Sequence, residues 1–240
     1  MTSQRHAQAS RRTFLARATA AAAIPVTAGL FAGRAAAEAV DLPDYAAIPS
    51  ASLGPAVNAK GYFVGQIKGN LYWVTDGYYQ AMFLTTRQGV VLVDAPPTIG
   101  HNLLRAIEEV TQANGRPSTV THLVYSHSHA DHIGASVIFG KDVVRIGHTE
   151  TRTLLRRDKD PNGPNHSPDN IFIYAPDQET LMVVDVIYPG WVPFTNLAVS
   201  QDIPGWIGAH DVAMNYPWKT LVGGHLGRLG VRADGHLQRQ

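Results

Sequence analysis

The sequence predicts one mixed α and β domain. Three observations carry this: short apolar runs separated by turn formers between Gly61 and Asp94, a helical stripe from Ile99 to Asn114, and alternating helical and extended patterns from there to Val222. A chain of 240 residues suits a single domain with a sizeable core. Hydrophobic residues at 45% and charged residues at 16% are an ordinary globular balance, without a disorder signature or an internal repeat. There is no cysteine, which excludes disulfides, cysteine nucleophiles, iron–sulfur clusters and thiolate metal ligands.

The first 37 residues read as a leader. Ser10-Arg11-Arg12-Thr13-Phe14-Leu15 resembles a twin-arginine export signal, and an uncharged, alanine-rich stretch runs from Ala18 to Gly33. That stretch is shorter than the roughly 18 apolar residues a membrane span needs. The small residues Ala35-Ala36-Ala37 follow it, where cleavage would leave a mature chain. An amphipathic organelle-targeting leader is the competing reading. The expectation is therefore a periplasmic or otherwise exported protein with no membrane span after processing. Residues 1–37 hold five of the 20 basic residues and none of the 19 acidic ones, so the remainder has 15 basic, 19 acidic and a formal charge of −4. That slightly acidic body, without a basic run, points away from nucleic acid as a partner.

Residues 38–60, with Pro43, Pro49 and Pro55, form an irregular lead-in, and residues 61–240 form the domain. Gly61–Ile67, Leu71–Thr75, Tyr79–Thr85 and Val90–Asp94 are strand-like. Lys-Gly-Asn, Asp-Gly and Arg-Gln-Gly separate them, which makes an antiparallel meander the simplest arrangement. Leu103, Leu104, Ile107 and Val110 mark a helix that Gly115 and Pro117 stop. His122–Tyr125 reads as a short buried strand, Ile133–Phe139 as a short helix, Val143–Gly147 as a strand and Thr149–Arg157 as a helix. Ile171–Tyr174, Leu181–Ile187 and a last strand at Thr220–Val222 complete the pattern.

The chemistry concentrates in Ser126-His127-Ser128-His129-Ala130-Asp131-His132. Side chains alternate along an extended chain, so His127 and His129 can grip one cation, with Asp131 and His132 just beyond for a second. Neutral imidazole and carboxylate are zinc's usual nitrogen and oxygen ligands. His-x-His-x-Asp-His after an apolar strand resembles the signature of the metallo-β-lactamase superfamily, whose members include lactamases, thioesterases, phosphodiesterases, nucleases and iron oxygenases. The resemblance implies an αββα four-layer sandwich of two mixed sheets with helices outside, classed α/β (α+β). The brief segment between Arg157 and Gly163 and the early end after His225 predict a shortened second half, with an open sheet edge and marginal stability.

Three downstream positions extend the resemblance. Gly163-Pro164-Asn165-His166-Ser167-Pro168 resembles a loop that supplies a third histidine, Asp185 resembles a bridging aspartate, and Gly223-Gly224-His225 resembles a final histidine. The resemblance thus assigns His127, His129 and His166 to one ion, Asp131, His132 and His225 to a second, and Asp185 to both. It also gives Asp131 a catalytic role, orienting the attacking hydroxide and handling its proton. Asp94 either supports the ligands from behind or is a turn residue, and Trp191 and Phe194 either line a substrate pocket or anchor a surface loop. The expected activity is a di-zinc hydrolase acting through metal-bound hydroxide on an ester, thioester, amide or β-lactam bond of a small molecule. Iron and manganese suit the same donors. An iron-dependent oxygenase and a metal-binding protein with little catalysis are the alternatives. No Gly-x-Ser-x-Gly elbow or phosphate-binding glycine loop occurs.

Overall fold

The computed structural model describes residues 47–158, 168–194, 197, 199–233 and 236–237. The predicted leader, the first part of the lead-in, and the loop from Gly163 to Ser167 with His166 lie outside the described residues.

Two sheets form the centre. The first has six strands in sequence order: β1 (Phe63–Lys68), β2 (Leu71–Thr75), β3 (Gln80–Thr86), β4 (Gly89–Val93), β5 (Val120–Val124) and β6 (Val144–Ile146). β1 to β4 are the expected antiparallel meander, while β4, β5 and β6 run parallel. Between β4 and β5 lies α1 (Asn102–Asn114), between β5 and β6 the single turn α2 (Ala130–Ile133), and after β6 comes α3 (Thr149–Asp158). The second sheet orders β7 (Ile173–Ala175), β8 (Thr180–Met182), β9 (Thr220–Val222), β10 (Leu229–Ala233) and β11 (His236–Leu237) as 11-10-9-8-7. Its parallel pair, β8 and β9, is joined through α4 (Ile203–Met214).

The layers follow from side-chain alternation. In β3, Ala81 and Phe83 face α1 and pack with Leu103, Ala106 and Ile107, while Met82 faces the second sheet with Val93, Met182, Val184 and Val222. In and after β8, Leu181 and Val183 face α4 and pack with Ala213 and Trp218. Both faces of each central strand are therefore buried, which is why these strands read as continuous apolar runs. Three cores separate four layers, and each fully buried side chain such as Phe83 or Leu123 contributes about 1.5–3 kcal/mol. This is the αββα sandwich of two mixed sheets.

Several elements differ from the sequence reading. The stripe on α1 runs through Leu103, Ala106, Ile107 and Thr111, and Leu104 is exposed. The strand expected from Leu181 to Ile187 stops at Met182, because Asp185 takes φ 61° and turns the chain. α4 was absent from the sequence reading; Gly205 and Gly208 weaken its helical pattern. Its signals were Asp202, whose side chain accepts from the Gly205 amide at 3.0 Å, and Pro204 in the first turn. Strands β10 and β11 continue the second sheet beyond His225, so Thr220–Val222 is not its last strand.

Candidate metal centre

The site lies just beyond the carboxyl ends of the parallel strands β4, β5, β8 and β9, where such folds open a crevice. Each sheet turns away from its strand through an aspartate in the left-handed region, Asp94 in the first and Asp185 in the second, both at φ 61°. Aspartate tolerates that conformation better than bulkier residues. Asp94 is fully buried, and its Oδ1 accepts from the Ser126 amide at 2.8 Å. Its own amide donates to Val124 O and the Ala95 amide to His132 O, at 2.9 and 2.7 Å, which ties the end of β4 to β5 and α2. Asp94 is thus a support behind the histidines. Burial pushes its carboxyl up, against the opposing pull of His132 and the Ser126 amide.

Six of the seven expected ligands converge. The donor atoms of His127, His129 and Asp185 lie within 4.8 Å of one another, as do those of Asp131, His132 and His225. Asp185 joins the groups: its carboxylate is 3.4 Å from His127 Nε2, 3.2 Å from His132 Nε2 and 3.0 Å from His225 Nε2. Asp131 Oδ2 is 3.6 and 3.8 Å from His132 and His225 Nε2. His166, the seventh, lies outside the described residues.

These spacings suit cations. Tetrahedral zinc with bonds of about 2.0–2.1 Å sets its ligand atoms roughly 3.3 Å apart. His132 Nε2 and His225 Nε2 lie 3.1 Å apart. His127 Nδ1 is 2.9 Å from Ser126 Oγ, which leaves Nε2 to face Asp185 at 3.4 Å. His132 Nδ1 faces Asp94 Oδ2 at 3.9 Å, beyond hydrogen-bond range, leaving its Nε2 toward Asp185 and His225. Burial lowers the His132 pKa, but Asp185, Asp94 and Asp131 outweigh it and raise it to about 9. The three carboxylates around His132 thus favour positive charge at this point.

Sequence reasoning missed three neighbours. Tyr79 bridges to His225 through the backbone, donates to Asp131 Oδ2 at 3.3 Å, and packs its ring 4.6 Å from His225. Burial and Asp131 push its phenol up to about 12. Tyr188 donates to Asp185 Oδ1 at 3.4 Å, and burial with Asp185 raises its phenol. Gln80, fully buried, donates its side-chain amide to the carbonyls of His225, Leu226 and Arg228, and its backbone amide to Gly224 O. Gln80 follows Asp76-Gly77, which reads only as a hairpin turn, so the sequence carries no signal for this clamp. Gly224 has to be small, since a Cβ there would lie 2.5 Å from Val184 Cγ1 and 2.8 Å from His132 Cε1. Of the aromatics expected near the site, the Phe194 ring is 5.4 Å from His225, while Trp191 turns away and donates to Ser52 O at 2.8 Å.

Fold and site together define the class: the chain has the metallo-β-lactamase fold. The sequence profile of the metallo-beta-lactamase superfamily matches residues 74–141, from β2 through the histidine cluster. A curated relative, 2,4-dinitroanisole O-demethylase subunit alpha from Nocardioides sp. (strain JS1661), is 24% identical over 194 residues. The match takes in 69% of this chain, which spans 58% of that relative's length. Among solved structures, a metallo-beta-lactamase from Pontibacter korlensis superposes with a TM-score of 0.57 at 19% identity, over 71% of this chain and 93% of that one. The metallo-beta-lactamase FIM-1 from Pseudomonas aeruginosa, in its mono-zinc form, superposes at 0.57 with 17% identity, over 71% and 90%. The chain is thus similar to the metallo-β-lactamase superfamily by sequence profile over residues 74–141 and to these neighbours in fold.

Proposed function

We propose that this chain is a metal-dependent hydrolase of the superfamily, holding two zinc ions and acting on a small molecule. The observation that carries the reading is Asp185, within 3.0–3.4 Å of imidazoles from both donor groups. His127 and His129, with His166, would hold one ion; Asp131, His132 and His225 would hold the other; Asp185 would serve both. When bound, two such ions make hydroxide available near neutral pH and polarise the bond under attack.

The chain's own residues supply the rest. Asp131 has 42% of its side chain exposed, far more than the other acids of the site, so it faces an incoming substrate. Its carboxylate, oriented by the Tyr79 hydroxyl on Oδ2, is placed to take a proton from the attacking water and return it to the leaving group. The exposed ring of Phe194 beside His225 offers an apolar surface to a substrate. The paired arginines Arg11 and Arg12 support export to the periplasm.

A second reading, an iron-dependent oxygenase, is favoured by the name of the curated relative, an O-demethylase. An aryl methyl ether therefore joins esters, thioesters, amides and β-lactams as a substrate to try. Hydrolysis of such an ether gives a phenol and methanol; oxygenation consumes dioxygen and a reductant and gives a phenol and formaldehyde. We expect about two zinc ions per purified chain, turnover abolished by chelation and restored by zinc, and methanol from any ether that reacts. One iron per chain, with dioxygen consumed during turnover, would replace this reading with the second.

A further inference from the structure

We propose that the cavity between α4, residues 186–193 and strands β9 and β10 is a second binding site, for a flat apolar molecule that carries a carboxylate. The cavity has a volume of about 310 Å³, and none of its lining residues belongs to the two donor groups. That volume falls within the roughly 300–1,000 Å³ of small-molecule pockets. Three of the chain's four tryptophans line it: Trp191, Trp206 and Trp218. Their indole N–H groups are already committed, to Ser52 O at 2.8 Å, Asp185 O at 3.1 Å and Ala213 O at 2.8 Å respectively. The half-buried rings of Trp191 and Trp206 therefore offer the cavity apolar surface, with the buried Trp218 beside them under Arg232, and such walls select a flat hydrophobic body.

Arg228 supplies the other half of the recognition. Its guanidinium packs against Gly190, at φ 83°, where any Cβ would collide with it. Glycine at 190 thus makes room for the fork on the cavity wall. Arg228 is half-buried, and among the described residues its side chain has no hydrogen-bond or ion-pair partner. The contrast is Arg232 in β10, which donates to Tyr216 O at 2.9 Å and caps the Trp218 ring at 5.4 Å. A half-buried guanidinium on a cavity of indole faces matches a carboxylate, which it can take through two parallel hydrogen bonds. A neutral ligand would leave those donors unanswered, and an inorganic anion would leave the rings uncovered.

The test uses 2-naphthoate as the probe and 2-naphthalenemethanol, the same rings without the charge, as its control. Titrations are followed by calorimetry and by the indole N–H resonances of the full chain, with zinc and after chelation. The expected result is that 2-naphthoate shifts the signals of Trp191, Trp206 and Trp218 and leaves Trp73, in the first sheet, unmoved. Arg228→Met should weaken it at least about tenfold and leave the neutral control unchanged, as loss of a charged hydrogen-bond pair requires. Arg228→Lys, which keeps the charge and loses the fork, should fall between. Carboxylates also bind metal ions, so His127→Ala separates the two sites: binding that survives it supports the cavity. Binding lost in that variant or on chelation, unchanged in Arg228→Met, or absent in the wild type would overturn the proposal. None of these readouts depends on turnover, so they stand apart from the hydrolase reading.

Discussion

Replacing Gln80 with leucine would test how the first sheet holds the histidine contributed by the second. Gln80 is fully buried and donates to the carbonyls of His225 at 3.0 Å, of Leu226, and of Arg228 at 3.3 Å. Leu226 sits at φ 61°, so this amide stabilises a turn that bulky residues rarely adopt. Leucine fills a similar volume and donates nothing, so the loss falls on hydrogen bonds more than on packing. A buried acceptor left without a donor costs about 1–3 kcal/mol; His225, Leu226 and Arg228 are half-buried, so we expect about 2–4 kcal/mol in total. In a domain of this size that lowers the melting temperature of the metal-free protein by roughly 5–15 °C. Because the turn carries His225, the proposed two-ion reading expects affinity for the second ion to fall roughly 10–100-fold, the usual cost of losing a group that orients a ligand. The ion proposed for His127 and His129 should bind nearly as before. Thermal unfolding and calorimetric zinc titration give both numbers. A variant that melts lower yet binds two ions with wild-type affinity, or one that loses both ions equally, would refute the coupling of Gln80 to His225.

Three further outcomes follow from the site and the leader. His132 has its folded pKa raised from 6.5 to about 9, so the protonated ring contributes stability that is full below about pH 6.5 and is lost as pH rises through about 9. Metal-free protein should therefore melt lower as pH rises from 7 to 9.5, while zinc, which needs the neutral ring, binds more tightly over the same interval; a flat melting profile would count against this. Asp131→Asn should cut turnover by about 100-fold or more, as loss of a positioned proton acceptor does. It should move the unfolding free energy of the metal-free protein by no more than about 0.5 kcal/mol, since the side chain is substantially exposed. Arg11→Lys together with Arg12→Lys should leave unprocessed precursor in the cytoplasm, measured by fractionation, and normal trimming of that variant would exclude the twin-arginine reading.

The first half of the domain was legible because its signals are local. Gly69, Gly77 and Gly89 punctuate a meander whose strands pair with their sequence neighbours, and α1 closes on Gly115 in the left-handed conformation with its amide bonded to Thr111 O. The histidine cluster was legible for the same reason, since four potential ligands within six positions need only one turn to converge. The second half is less local: β8 pairs with β9 across an interval of 37 residues between Met182 and Thr220, of which α4 takes 12 with a sequence weakened by glycine. Asp185 and His225 were found by resemblance, because an aspartate after Val183-Val184 and a histidine after two glycines carry no chemistry alone.

What the sequence determined by itself was the alternation of apolar and polar residues, the turns, and the supply of imidazole and carboxylate groups at strand ends. Only the tertiary structure decided that Asp185 and His225, from the second sheet, come within 3.2 Å of His132 in the first. It also decided that Gln80, Tyr79 and Tyr188 hold them there, and that three tryptophans and Arg228 enclose a cavity behind them. The physical reason is distance along the chain. Backbone periodicity acts over a few residues, whereas a metal centre shared by two sheets depends on how their buried faces stack, which no single stretch of sequence specifies.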